Sequence, residues 1–386
     1  MRRRRRSPSR TGHLGTGLAA AALVFAMSGC DAGIEPAPEF RGSAPASQTT
    51  APDSPPSTAA SEPATPSPSP TVPTLTVAGD VVTGLGVPWS MAVLPDDSLI
   101  VTERETAEVK RIADGQVTVL GVIGDAIEAG GEGGLLGVAI SPDFEIDPRL
   151  YLYYTSPSDN RIVSVPYTSD GLGEPEIILT GIPRANVHNG GRIKFGPDGF
   201  LYAGTGDATD AASAQDPASL GGKILRITAD GEPAPDNPFG NAVYTLGHRN
   251  VQGLAWDSED RLWASEFGPD QDDELNLITS GSNYGWPEVT GAPGREEYVD
   301  AQVVWPSPAT SSPSGIAIVD DVAYIGGLRG ERLWQVPLFS GVAGEPVSHF
   351  EDQFGRLRDT TIGPDGELLI ATNEGGGSRI VRVEMQ

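Results

Sequence analysis

The sequence is poor in cysteine, histidine and basic residues, and these shortages argue against several kinds of site and partner. Its 386 residues include one cysteine, Cys30, and four histidines. A single cysteine excludes an intrachain disulfide and a zinc site built from several cysteines. Lys and Arg number 26 against 52 Asp and Glu, which gives a formal net charge of -26. Because neutralising phosphates requires clustered cations, this balance argues against a nucleic-acid partner.

Long stretches with helical periodicity are also absent, and a β pattern recurs instead. Six times from Leu75 onward, an apolar strand runs into an Asp-rich turn and a second apolar strand. The six segments are 92–101, 139–154, 195–203, 255–264, 317–325 and 362–371. Repeats roughly fifty residues apart have the size of propeller blades. We therefore predict an all-β fold, a six-bladed β-propeller of four-stranded antiparallel sheets over residues 76–386. A pair of β-sandwiches with similar turns is the alternative.

Residues 1–29 have the features of a lipoprotein signal peptide. A basic head precedes an apolar run, 14–27, that is too short for a comfortable membrane span. The segment Met-Ser-Gly-Cys at 27–30 resembles a bacterial lipobox, in which the cysteine is lipidated. We expect lipidation at Cys30 and an extracytoplasmic protein anchored to the cell membrane. A plain secretory leader with an incidental cysteine is the alternative.

Residues 30–75 are dominated by Pro, Ser, Thr and Ala, as in Ala-Pro-Asp-Ser-Pro-Pro-Ser-Thr-Ala-Ala at 51–60. Such a composition does not bury a core, because it offers few apolar side chains. We predict a disordered tether between a lipid anchor and the folded domain. A mucin-like glycosylated segment is the alternative.

His188 is the candidate general base. It lies in segment 185–207, between an asparagine and a Gly-Gly pair, and a Gly-Pro-Asp-Gly turn follows. The unperturbed pKa of histidine lies near neutrality, and glycines let backbone approach a ligand closely. In a propeller, such a loop would stand at the mouth of the central channel. An ordinary loop histidine beside a turn is the alternative.

Arginines in glycine-flanked loops form a second group of candidates. They are Arg249 beside Asn250 in 247–253, Arg329 in 328–330, and Arg356 and Arg358 in 355–358. In so acidic a chain, this set indicates an anionic ligand held by guanidinium groups. The alternative is that each arginine pairs with a local Asp or Glu.

Two further loops carry carboxylates. Glu132 lies in the glycine-rich segment 130–137, which is not a phosphate loop because no Gly-Lys-Ser/Thr follows. The segment 266–276, followed by 283–287, is rich in carboxylates but lacks the spacing of an EF-hand. Carboxylate and carbonyl oxygens are the ligands that Ca²⁺ prefers. A calcium site and a solvated acidic loop both fit this pattern.

The order of these motifs resembles the PQQ-dependent soluble aldose sugar dehydrogenases, the glucose/sorbosone dehydrogenase family. The motifs are Gly-Glu-Gly-Gly-Leu-Leu-Gly, His-Asn-Gly-Gly-Arg, Gly-His-Arg-Asn-Val-Gln-Gly, Glu-Phe-Gly-Pro-(x)₃-Asp-Glu-Leu-Asn, Asn-Tyr-Gly-Trp-Pro and Gly-Arg-Leu-Arg-Asp. The resemblance covers about residues 76–386. It implies a six-bladed propeller, pyrroloquinoline quinone (PQQ) in the central channel and bound Ca²⁺.

The resemblance also implies roles for matching residues. His188 matches the catalytic base, and Arg249 and Asn250 match the pair that contacts the quinone. The remaining cofactor positions are Glu132, Arg329, Arg356 and Arg358. For Ca²⁺, the implied ligands are the carbonyls of Gly268 and Pro269 at one site, and Glu274 with the carbonyl of Tyr284 at another.

The expected function is oxidation of an aldose at C1 to the lactone. His188 takes the proton, a hydride passes to the quinone, Arg249 stabilises the oxyanion, and the electrons go to an external acceptor. Two alternatives remain open at this stage. One is a Ca²⁺-dependent propeller lactonase. The other is a non-catalytic lipoprotein propeller that binds a carbohydrate or a protein.

Overall fold

A computed structural model describes residues 72–126, 131–168 and 170–386. The predicted signal peptide, the lipidation of Cys30 and nearly all of the predicted tether fall outside these ranges. Within them, no helix is long and apolar enough to cross a membrane. The helical structure described there is one 3-10 helix, Ala211–Gln215.

The strands form six antiparallel sheets. The first contains β2 (Pro88–Val93), β3 (Leu99–Glu103), β4 (Glu108–Ala113) and β5 (Gln116–Val122). The second contains β6 (Leu135–Ile140), β7 (Arg149–Thr155), β8 (Asn160–Thr168) and β10 (Glu176–Ile182), with β9 (Gly171–Leu172) beside β8. The third contains β11 (Ile193–Phe195), β12 (Leu201–Gly204), β13 (Lys223–Ile227) and β14 (Val243–Leu246).

The other three sheets follow the same plan. The fourth contains β15 (Val251–Trp256), β16 (Leu262–Glu266), β17 (Asp273–Ile278) and β18 (Val303–Trp305). The fifth contains β19 (Pro313–Val319), β20 (Val322–Gly327) and β21 (Arg332–Phe339), with β22 (Val342–Ala343) and β23 (Val347–His349) both on β21. The sixth contains β24 (Leu357–Ile362), β25 (Leu368–Thr372), β26 (Ser378–Met385) and the N-terminal β1 (Leu75–Leu85).

The sheets are arranged as a closed ring around a central channel. The first strand of each sheet contacts the first strand of the next, in the order β2, β6, β11, β15, β19, β24 and back to β2. The ring closes because β1 pairs antiparallel with β26 and so joins the two ends of the domain in one sheet. The predicted six-bladed β-propeller is confirmed, and the sandwich alternative is wrong.

The core is divided among the six interfaces between neighbouring sheets. Each of six clusters of buried apolar residues draws mainly on two adjacent blades. Strand β3 illustrates how one strand contributes to two of these clusters. Leu99 and Val101 pack toward the sixth sheet, whereas Ile100 packs toward the second. Successive side chains of a strand point to opposite faces, so an apolar strand serves two interfaces.

The six sequence repeats coincide with the hairpins that join the first and second strands of the six sheets. In four of these turns, the equivalent residue takes a left-handed conformation. These residues are Asp97, Gly199, Asp260 and Gly366. Asp and Gly tolerate this region better than other residues, which explains the Asp-rich and Asp-Gly turns in the sequence.

Candidate active site

One end of the central channel, which we call the upper end, opens into a cavity of about 340 Å³. Connections at the ends of the inner strands supply its walls. The cavity gathers eight of the predicted site residues: Glu132, His188, Arg249, Gly268, Pro269, Arg329, Arg356 and Arg358. Strand β24 begins at Leu357, so Arg356 lies just before the strand, and Arg356 and Arg358 nevertheless face the same space.

Glycines bring His188 to this cavity. The His188 loop connects β10 and β11, and Gly190 takes a φ of +61°. A Cβ atom on Gly206 would collide with the carbonyl oxygen of His188. Glycine at these positions therefore lets the loop pack directly against the end of β12. The same contact sets Asp207 beside His188.

The imidazole of His188 has a defined tautomer. Nη2 of Arg249 lies 2.8 Å from Nε2, and Oδ1 of Asp207 lies 2.7 Å from Nδ1. Because a guanidinium only donates and a carboxylate only accepts, Nε2 is the acceptor and Nδ1 carries the proton. The His188 side chain is 18% exposed and that of Asp207 only 2%. An unprotonated nitrogen thus lies on the cavity side, as a general base requires.

Asp207 is a candidate functional residue that the sequence motifs did not single out. Burial alone would raise the pKa of Asp207, but hydrogen bonds from His188, from the Thr209 amide and from Trp286 outweigh burial and lower the pKa. The carboxylate is therefore charged and able to orient the imidazole. Its signal in the sequence was the Gly-Thr-Gly-Asp end of an apolar strand, within the same segment 185–207 that contains His188.

Four arginines of the cavity carry charge that no nearby carboxylate pairs. They are Arg249, Arg329, Arg356 and Arg358. Across the described ranges, none of the four forms an ion pair within 4.0 Å. Burial, with the charges of Arg104 and Arg356, lowers the pKa of Arg358 to about 9. Pairing with local Asp or Glu therefore does not explain this set, and the cavity favours an anion.

Glu132 serves the His188 loop. Its Oε2 accepts a 2.8 Å hydrogen bond from the backbone N–H of His188, and its own N–H donates to the carbonyl of Asn186 at 2.7 Å. Its charge also acts on Arg249 and Arg358. Glu132 and Asp273 are the two carboxylates that line the cavity, fewer than its four guanidinium groups without ion-pair partners, so an excess of positive charge remains.

Asn250 is fully buried and does not line the cavity. Its Oδ1 accepts a 2.9 Å hydrogen bond from the Gly190 N–H, while its Nδ2 has no partner among the described residues. The neighbouring His248 is buried between Thr245 and Glu266, at 2.9 Å and 2.8 Å. His248 therefore has a structural role, and Asn250 supports the His188 loop from below.

Glu274 and Tyr284 line a second, small cavity of about 10 Å³ beside the first. Glu266 lines it too and stands directly opposite Glu274 on the neighbouring strand. Burial and the charge of Glu266 raise the pKa of Glu274 to about 8. Like charges opposite each other are unfavourable, so this space suits a cation.

The chemistry of the donors fits Ca²⁺ better than a transition metal. Among the residues the structure describes, no three His, Cys, Asp or Glu side chains cluster as a metal site. A cation would therefore bind one or two carboxylates together with backbone carbonyls, a hard oxygen set. The Tyr284 hydroxyl donates to the carbonyl of Leu277 at 2.7 Å, so only the backbone oxygen of Tyr284 is left as a ligand.

Gly268 and Pro269 line both cavities. Asp273, which the sequence reasoning missed, holds this segment: its oxygens accept from the N–H of Gly268 at 2.9 Å and of Ser312 at 2.7 Å. Burial raises the pKa of Asp273 to about 6. Further residues without a predicted role also line the upper cavity, among them Trp89, Arg104, Gln252 and Asn373.

The family profile described as Glucose / Sorbosone dehydrogenase matches residues 85–382. The chain belongs to this family. A PQQ-bound aldose sugar dehydrogenase from Streptomyces coelicolor is 46% identical, with a TM-score of 0.80, covering 83% of this chain and all of that one. The predicted family and the predicted enzyme class, an oxidoreductase, are confirmed.

Two curated relatives are also named as sugar dehydrogenases. Aldose sugar dehydrogenase YliI of Escherichia coli (strain K12) is 29% identical over 75% of this chain and 88% of its own length. Quinoprotein glucose dehydrogenase B of Acinetobacter calcoaceticus is 34% identical over 55% of this chain and 52% of its own length. The match to the second relative therefore spans about half of that protein.

Proposed function

We propose that the protein oxidises an aldose at C1 to the lactone, with PQQ as cofactor and Ca²⁺ beside it. Membership of the family makes it a sugar dehydrogenase, and the finer assignments are ours. One observation carries them: a single cavity holds an unprotonated Nε2 of His188 and four guanidinium groups without ion-pair partners in the described structure.

The residues fit PQQ, which has three carboxylates. Arg329, Arg356 and Arg358 would hold these carboxylates, since bidentate guanidinium contacts are the strongest available to them. Arg249 would contact the quinone, whereas Asn250, buried behind the cavity wall, would hold the His188 loop through the Gly190 N–H. The similar Streptomyces coelicolor enzyme was solved with PQQ bound.

Each residue near the sugar then has a defined task. When bound, PQQ would supply the oxidant for the hydride of C1, and Ca²⁺ would supply a Lewis acid beside it. His188 would take the proton of the C1 hydroxyl on Nε2, in place of the hydrogen bond that this nitrogen accepts from Arg249. Asp207 keeps the proton on Nδ1 and stabilises the imidazolium that forms. Arg249, 2.8 Å from Nε2, stabilises negative charge that develops beside the base.

Two groups of oxygens would hold Ca²⁺. The carbonyls of Gly268 and Pro269 stand at the upper cavity, where the ion would act on the cofactor. Glu274 and the carbonyl of Tyr284 form the second group, in the small cavity where Glu266 stands opposite Glu274. The second ion would have a structural role, because it would join β17 to the loop that carries Trp286.

We also propose that the electrons leave to an external acceptor and that Cys30 anchors the protein to the membrane. The exposed Arg329 on the cavity wall indicates that an acceptor can reach the site.

The proposed membrane anchor is based on the lipobox-like sequence alone. Cys30→Ala should move the protein from the detergent phase to the aqueous phase in a phase-partition assay. Unchanged partition would contradict the anchor.

Reconstitution tests the proposed reaction. Purified protein is freed of metal with a chelator, then mixed with PQQ and Ca²⁺, and dye reduction is followed with a panel of aldoses. We expect a change in the PQQ absorbance on binding and sugar-dependent dye reduction that requires both additions. PQQ omitted and Ca²⁺ replaced by Mg²⁺ are the matched controls.

The alternatives give different results in the same assay. A Ca²⁺-dependent lactonase would hydrolyse lactones without PQQ and would not reduce the dye. A non-catalytic binding module would show neither dye reduction nor a change in PQQ absorbance. Either result would reject the proposed reaction.

A further inference from the structure

The other end of the channel, which we call the lower end, contains a separate cavity of about 290 Å³. Residues of the inner strands of all six sheets form its walls. About half of its surface is apolar, and the half-buried aliphatic residues Ala92, Ile140 and Ile318 contribute to it. None of the residues that form the upper cavity belongs to it.

A polar layer separates the two cavities. Nη1 of Arg192 lies 3.0 Å from Oδ1 of Asp359, and its Nε donates to the carbonyl of Gln252 at 2.8 Å. The guanidinium of Arg192 also stacks on Trp89, with 4.5 Å between Cζ and the ring centroid. Arg192 and Asp359 line the lower cavity, whereas Trp89 and Gln252 line the upper one, so the contacts of this layer lie between the two sites.

Lys194 brings a positive charge into the lower cavity. It follows Arg192 by two residues and therefore points to the same, channel-facing side of the chain. Water reaches its side chain, yet protein surrounds it, and burial lowers its pKa. Within the described ranges, its ammonium has no hydrogen bond, and no carboxylate lies within 4.0 Å.

The one carboxylate of the lower cavity is already satisfied. Oδ1 of Asp359 pairs with Arg192, and Oδ2 accepts a 2.7 Å hydrogen bond from the Met91 N–H. The cavity thus combines apolar surface with one cation, Lys194, that lacks a partner among the described residues. This is the usual plan of a small-molecule site: apolar surface for affinity and one polar group for orientation.

We propose that the lower cavity binds a small organic monoanion. Its carboxylate pairs with Nζ of Lys194, and its apolar body packs on the apolar surface of the cavity. This site does not depend on the proposed reaction, since it lies beyond the Arg192–Asp359 layer. A cation is disfavoured by Lys194, and a polyanion is disfavoured by the apolar surface, which would leave its other charges unpaired.

Calorimetric titration of the full chain with 2-naphthoate, with and without saturating PQQ, tests the site. At saturating PQQ, which occupies the arginines of the upper cavity, we expect one remaining site per chain. Lys194→Met should weaken binding about tenfold, the scale of a charge-assisted contact, and Lys194→Arg should retain it. The neutral analogue 2-naphthylmethanol should bind the native protein as weakly as 2-naphthoate binds Lys194→Met. Ala92→Phe should abolish binding by filling the cavity.

Several outcomes would overturn the proposal. They are no binding of 2-naphthoate to the native protein, equal affinity for Lys194→Met, and complete displacement by PQQ. A loss of binding in Arg356→Gln would place the ligand in the upper cavity instead. Circular dichroism confirms folding of each variant, and Lys194→Gln replaces Lys194→Met if the latter is unfolded.

Discussion

Nε1 of Trp286 donates a 2.8 Å hydrogen bond to Oδ2 of Asp207, whose other oxygen holds His188. Trp286 lies in a loop of the fourth sheet, and Asp207 lies in the connection that follows β12 of the third. Gln215 ties the two regions, because its Nε2 donates to the carbonyl of Trp286 at 2.6 Å and to Asn283 at 3.0 Å. The base is therefore oriented through a chain of contacts that joins two blades.

Trp286→Phe should weaken catalysis without removing it. The variant keeps the ring but loses a hydrogen bond to a charged group, a contact of about 1.5–3 kcal/mol. We expect kcat to fall roughly tenfold to a hundredfold. Steady-state dye reduction measures it, with Trp334→Phe on the fifth sheet as control. Equal rates for Trp286→Phe and the native enzyme would show that Asp207 does not need the indole.

Asp207→Asn should have a larger effect. An amide can donate to Nδ1 and so favour the tautomer with its proton on Nε2, which leaves no base. We expect kcat to fall about 10²–10⁴-fold with PQQ affinity nearly unchanged. Asp210→Asn, an exposed neighbour with no contact to His188, is the control. If Asp207→Asn kept the full catalytic rate, Asp207 would not be needed to orient His188.

His188→Gln should abolish turnover and leave PQQ binding largely intact, because the imidazole supplies the base. The expected loss in kcat is at least about 10²–10⁴-fold. Dye reduction and PQQ titration are measured on the same preparation. His349→Gln is the matched control, since His349 bonds Gln335 at 2.8 Å on the fifth sheet, away from the cavity. An unchanged rate in His188→Gln would reject the assignment.

Arg356→Gln should raise the Kd for PQQ, because a half-buried cation that faces an anionic ligand is lost. Hydrogen bonds to charged groups contribute about 1.5–3 kcal/mol, which corresponds to roughly tenfold to hundredfold in Kd. Absorbance titration gives the value. The control is Arg379→Gln, whose guanidinium pairs with Asp80 outside the cavity. If both variants bind PQQ equally, the cavity does not hold the cofactor as proposed.

Asp207 also predicts an acid-dependent loss of stability. Its pKa is lowered below the ordinary value of 3.8, so its charge stabilises the fold at higher pH. That contribution is lost as pH falls below the ordinary value and through the folded-state pKa. The excess unfolding free energy of the native protein over Asp207→Asn should therefore shrink between about pH 5 and pH 3. Urea unfolding at each pH measures it, with Asp230→Asn as control; a pH-independent difference contradicts the shift.

Much of the fold was readable because its signals are local. A hairpin turn favours Asp or Gly at a left-handed position. Asp97 and Gly199 occupy such positions, so the few residues around each of them are enough to predict the hairpin of a blade. Strand alternation is equally local. The site residues His188 and Arg249 were predicted because each sits in a long motif. Their common cavity followed from the family resemblance, which already implied the ring.

The sequence by itself determined the number of blades, their turns and the candidate site residues. Only the tertiary structure decided which of these residues meet. Asp207 contacts His188 because Gly206 allows the end of β12 to touch the loop. Lys194 lacks a partner among the described residues because Asp359, from the sixth sheet, is already bound to Arg192. These relations depend on closing the ring through β1 and β26, where residues hundreds apart pair. No local sequence pattern specifies contacts between residues so far apart in the chain. The packing of neighbouring blades therefore determines them.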